Sequence, residues 1–163
     1  MSDDKRVLII PCSGIGKAYG SVGREAMYKL LEDLRPGVTD TLCLSLLTLG
    51  DPEAQARVRE HPTITIDGCP KACAKVNVEA AGGAPAGIYR VFDVYRAHKE
   101  LKVRSVSELG ESGRAMARLL AEEIALKVDQ LRASPDSHCA ASLVVDEVDE
   151  AQCELAPQAE ENQ

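Results

Sequence analysis

The sequence predicts an α/β fold: three layers, with a short, mostly parallel sheet of about four strands flanked by helices, plus a long C-terminal helix. Three observations carry this. Short apolar runs alternate with segments of helical periodicity, the alternation from which parallel sheets are built. Hydrophobic residues make up 45 % of the 163 residues, enough to bury a core within one domain. No internal repeat competes with that reading.

The elements follow in order. Residues 6–10, Arg-Val-Leu-Ile-Ile, form a short β-branched run that reads as a fully buried strand. The Gly-rich turn Pro11-Cys12-Ser13-Gly14-Ile15-Gly16-Lys17 ends it. A helix is expected over residues 21–34, because Val22, Ala26, Met27, Leu30, Leu31 and Leu34 share one face, and Pro36-Gly37 closes it. Residues 41–47 are a leucine-rich apolar run, read as the second strand. Asp51 and Pro52 form an N-cap and first-turn pair for a helix reaching Glu60. Thr63-Ile64-Thr65-Ile66 is the third strand. Asp67-Gly68-Cys69-Pro70 then turns the chain into a helix over residues 71–81, stopped by Gly82-Gly83-Ala84-Pro85. Residues 88–94 are expected as the fourth strand. Ser105 and Glu108 have the spacing of a capping box, and Met116, Leu119, Leu120, Ile124, Val128 and Leu131 mark the last helix over residues 113–131. Residues 1–133 are therefore read as a single α/β domain, the one that carries the cysteines considered below, and residues 134–163 as an acidic, mostly disordered tail with a short ordered piece at 141–145.

Composition excludes several functions. The net charge of −7 hides an asymmetry: residues 1–133 hold all 19 Lys+Arg and 18 of the 26 Asp+Glu, while the tail holds the remaining 8 acids and no base. The near-neutral body lacks the basic footprint of a nucleic-acid binder, and aromatics at 3 % give no stacking platform. No run is long enough for a membrane span, and residues 7–10 are too short a stretch for a signal-peptide core. The protein is expected in the cytoplasm, without nucleic-acid or membrane partners. The acidic tail serves solubility by default, or binds a protein partner.

The cysteines are the informative feature. In a reducing compartment six of them favour metal binding or redox chemistry over disulfides. Cys12 follows the first strand and Cys69 the third, so a parallel sheet brings both to one rim. Cys73 lies four residues after Cys69, one helical turn away, with Cys69 expected at the N-cap and Pro70 at the first helical position. Cys43 reaches that rim only if the second strand ends early. A set of Cys12, Cys43, Cys69 and Cys73 suits tetrahedral zinc and equally an iron–sulfur cluster; buried cysteines also serve as small hydrophobes. Lys17, Lys71 and Lys75 add local positive charge. A second chemistry uses the same thiols: redox or sulfur transfer, with Cys69 as a nucleophile activated by the helix N-terminus, Cys73 resolving it and Cys12 carrying a persulfide. A thioredoxin-type site is excluded by the three residues between Cys69 and Cys73. A phosphatase loop is excluded by Ala18 where Arg is needed, and a Walker A loop by Pro11 and Ala18. Gly14, Gly16, Gly20 and Gly23 read as a tight strand-to-helix turn rather than an anion loop. His61, His98 and His138 read as surface residues, and Cys139 and Cys153 as exposed thiols of the tail.

Two segments, Pro11-Cys12-Ser13-Gly14-Ile15-Gly16 and Asp67-Gly68-Cys69-Pro70-Lys71-Ala72-Cys73, together resemble the DGC-domain family, small proteins to which zinc binding is ascribed and which are named for an Asp-Gly-Cys motif. The resemblance covers roughly residues 5–95, at most to 133, and not the tail. It implies four metal-binding cysteines falling on Cys12, Cys43, Cys69 and Cys73, of which Cys43 leans most on the resemblance. It supplies a ligand and no reaction. Asp67 and Gly68, with Ser13, Gly14, Gly16 and Lys17, would surround the metal, Asp67 capping the helix or bonding a neighbouring group.

Overall fold

A computed structural model of the chain describes residues 6–14, 16–103 and 105–133. The acidic tail lies outside them, and with it His138, Cys139, Cys153 and the piece expected at 141–145. Four parallel strands form one sheet in the order β2-β1-β3-β4: β1 (Val7–Pro11), β2 (Thr39–Asp40), β3 (Thr63–Asp67) and β4 (Pro85–Arg90). The strand order reverses between β1 and β3, the switch point beside which open α/β sheets bind ligands.

Alternation along the two central strands sets the layers. Val7 and Ile9 of β1, with Ile64 and Ile66 of β3, bury one face against α1 (Ala18–Lys29), α5 (Val91–Ala97) and α6 (Gly110–Ala133). Leu8, Ile10 and Cys12 turn to the other face, covered by α2 (Leu44–Leu49), α3 (Pro52–Glu60) and α4 (Cys73–Ala80). α6 lies along α1: Gly113, Ala117, Ala121 and Ala125 repeat every four residues beside Met116, Leu120, Ile124 and Val128, all buried. The small stripe lets the helices approach and the large one fills the core. Among the described residues no helix is long and apolar enough to cross a membrane.

Four expectations are corrected. The second strand is not 41–47: β2 ends at Asp40, and the leucine run is the helix α2, begun at Cys43 and closed by Gly50 at φ +75°. That run has no β-branched residue beyond Thr41, so leucine's helical preference prevails. The first helix starts at Ala18, three residues early, and continues past Lys29 as a π-helical segment, Leu30–Leu34. The fourth strand stops at Arg90, and Val91 begins α5, with Arg90 pairing to Asp93 at 2.9 Å across the junction. The helix after β3 starts at Cys73, not at residue 71, for the reason given below. Asp51 does cap α3, its Oδ1 accepting the Ala54 N–H at 2.8 Å.

Candidate metal centre

The carboxyl ends of β1 and β3 are stitched together. The Cys12 N–H donates to the Ile66 carbonyl at 2.8 Å, continuing the ladder one residue past β1. The Gly68 N–H donates to Cys12 Sγ at 3.3 Å. Three glycines let the flanking loops meet: a Cβ on Gly14 would stand 2.3 Å from the Gly20 Cα, and one on Gly68 would stand 2.8 Å from the Gly20 nitrogen. The turn after β1, the first turn of α1 and the turn after β3 therefore touch backbone to backbone, where no side chain fits. Arg24 adds a tie by donating from its guanidinium to the Ser13 carbonyl.

Asp67 positions α4 from the end of β3. Its side chain is 1 % exposed; Oδ1 accepts the Ala74 N–H at 2.8 Å and Oδ2 the Lys75 N–H at 3.2 Å. These are orphan amides of the first helical turn. The residue at the cap position is Ala72, in the left-handed region at φ +49°, with no side chain able to cap. Burial raises the Asp67 pKa against the lowering effect of the two amides.

This arrangement overturns the expected helix start. Cys69 is in the loop, not at the N-cap, and Pro70 is not the first helical residue; Cys73 is. The two thiols therefore do not share a face of one helix, and Cys69 precedes the first helical residue by four positions. What joins them is a cleft of about 790 Å³, lined by Cys12, Cys69 and Cys73 together with Ser13, Gly14, Gly16, Lys17 and Gly68. Eight of the ten residues singled out from the sequence thus line a single cavity. Asp67 stands behind it. Cys43 does not line it; it is exposed at the start of α2, on the same side of the sheet. Neither His61 nor His98 lines it.

The thiols differ in environment. Cys12 is buried, and burial pushes its pKa up; the Gly68 amide opposes this, while Asp67, Cys73 and Cys69 add to the rise. Cys43 makes no capping bond to the first turn of α2, yet its pKa is lowered, chiefly by the Ser45 amide and hydroxyl and then by the Leu46 amide. Three thiols on one cleft are donors of the kind a thiophilic divalent ion takes. As the side chains stand, no three or more His, Cys, Asp or Glu residues among the described ones are grouped so as to hold a metal ion. The donor set fits zinc in kind, and the thiols would have to draw together around it.

The cleft has a second wall that the sequence reading missed. Tyr19, Phe92 and Val103 also line it, and Lys71 joins Lys17 in its lining. Tyr19 is half-buried, and Tyr95 stacks behind it with ring centroids 5.5 Å apart. The sequence hides the signal for this wall, because residues 88–94 read as a strand there, whereas Phe92 belongs to α5. The DGC-domain family model matches residues 8–111, which include both walls. No curated protein and no solved structure matches the chain.

Proposed function

The chain belongs to the DGC-domain family, and from that premise we propose that it is a zinc-binding protein of the cytoplasm. Cys12, Cys69 and Cys73 would hold the ion from the cleft, and Cys43 would join them from the start of α2. The observation that carries the reading is the meeting of Cys12, Cys69 and Cys73 at the carboxyl ends of β1 and β3, where the strand order reverses. Bound there, zinc would cross-link the turn after β1 to the turn before α4, and its binding energy would become folding energy. The chain's own part is to hold the first thiol rigidly, through Gly68, and to fix α4 through Asp67. Free thiols in this number need a reducing compartment to stay reduced.

The test is metal content by mass spectrometry on protein purified without oxygen, with a visible spectrum. One zinc per chain is expected, lost in Cys12→Ser, Cys69→Ser and Cys73→Ser; loss in Cys43→Ser as well would assign the fourth ligand. Zinc retained in all four variants, or iron with sulfide in place of zinc, would overturn the reading.

A further inference from the structure

A metal ion held by thiolates occupies a small fraction of this cavity. A volume of about 790 Å³ falls within the range of about 300–1,000 Å³ typical of small-molecule sites. Its walls are unlike. Part of the lining carries the thiols, Cys12 and Cys69 on Gly-rich loops and Cys73 at the start of α4; another part is Tyr19, Phe92 and Val103. The chain has 4 Tyr and 1 Phe in all, and Tyr19, Phe92 and Tyr95 form a contiguous group, with the Tyr19 and Phe92 centroids 6.3 Å apart. Phe92 is nevertheless 39 % exposed, so a large apolar ring faces open space instead of the core. Concentrating scarce aromatics on one wall of a cleft is how a protein receives a flat apolar body.

The charge on the cleft has one sign. Lys17 and Lys71 line it and no Asp or Glu does. Neither lysine forms an ion pair among the described residues. Asp67 does not line the cleft, and its two oxygens accept the Ala74 and Lys75 amides of α4. With protonated thiols the two lysines are unbalanced. With a divalent ion on three thiolates, one net negative charge still leaves the lysines in excess; a fourth thiolate from Cys43, which is not part of the cleft lining, would bring the sum to zero.

We propose that the cleft binds a small organic anion with a planar apolar body, the body against Tyr19, Phe92 and Val103 and the charge met by Lys17 and Lys71. The proposal goes beyond metal binding and rests on the cleft's own lining, in which Cys43 has no part. Phe92 is the sole Phe, so its ring resonances report on this wall alone. The experiment titrates the full-length protein with naphthalene-2-sulfonate and follows those resonances by NMR. The cationic 2-(aminomethyl)naphthalene and plain sulfate are run beside it, and zinc is quantified in every sample. The sulfonate is expected to shift the Phe92 ring saturably, the cation and sulfate much less. A Lys17→Gln/Lys71→Gln double variant with an unchanged amide spectrum should bind it roughly tenfold more weakly, as expected for two solvent-facing charges. Unmoved Phe92 resonances, equal binding of the cation, or undiminished affinity in the double variant would overturn the proposal. A zinc-loaded protein that ignores the sulfonate would fail this inference alone; a zinc-free protein that binds it would fail the metal reading alone.

Discussion

On one face of the sheet, Val7, Ile9, Ile64 and Ile66 pack against α1, α5 and the 24-residue α6; on the other, Leu8 and Ile10 meet three helices of only 6, 9 and 8 residues. The first face is filled by large side chains such as Leu30, Met116, Leu120 and Ile124, all fully buried. The second has a smaller buried cluster, in which Leu42, Leu47, Val58 and Val78 stand beside Ala54, Ala74, Ala81 and Cys12. Helices that short do not persist on propensity alone. They are held instead by polar anchors, Asp51 for α3 and Asp67 for α4. The thick face holds the larger buried cluster, and Cys12, Cys43 and Cys73 belong to the strand end and the helices of the thin one. The cysteines therefore sit where the structure is least over-determined, and where an added cross-link has most to contribute.

The largest effect should come from the thick face. Leu120→Ala leaves a cavity between α6 and the sheet and should cost roughly 2–5 kcal/mol in urea unfolding. Leu47→Ala, on the short α2 and 6 % exposed, should cost less than half as much, because the surrounding structure can close over the gap. Equal costs would break the contrast between the faces.

The next effect tests the polar anchor. Asp67→Ala strips acceptors from the Ala74 and Lys75 amides, a loss of about 1–3 kcal/mol for buried donors left unpaired. Asp67→Asn keeps one carbonyl acceptor and should recover part of it. Hydrogen exchange by mass spectrometry should show α4 opening faster in Asp67→Ala while α6 is unchanged. A matching acceleration in α6 would mean that the two faces open as one unit.

The same contrast governs how much was legible from the sequence. The thick face was, α5 apart, because its signals are periodic and long: α6 repeats its buried residues from Gly113 to Val128, about four turns, and β1 is a β-branched run with one sensible reading. The thin face was legible only at α3, where Asp51 and Pro52 mark the start. Residues 41–47 are short and uniformly apolar, and a period cannot be read from so few residues. The start of α4 misled because Pro70 after Cys69 has the form of a local cap, whereas the cap comes from Asp67 at the end of the strand, with Ala72 in a left-handed turn between them. That pairing is tertiary and leaves no local spacing to find. The meeting of Cys12 with Cys69 was legible because it needs only parallel strands. The aromatic wall was not, because Phe92 joins Tyr19 only once α5 is known to be a helix.

The smallest effect lies at the edge of the thick face, where Arg35, just past the π-helical segment, grips Asp129 of α6 through two hydrogen bonds of 2.7 and 2.5 Å. The Arg35 guanidinium holds the Asp129 carboxyl below its ordinary value of 3.8. A depressed carboxylate contributes stability above its unfolded pKa and loses it as the pH falls through the lower folded value. The tie should therefore act in full near neutrality and fade only in the acid range below the ordinary aspartate value. Asp129→Asn should lower Tm slightly at pH 7 and bring wild type and variant together as the pH falls through that range. The pair is solvent-exposed, so salt should shrink the difference as well. If removing this surface clasp cost as much as emptying the core at Leu120, the thick face would be held by its rim, and its advantage over the thin face could not be assigned to buried apolar volume.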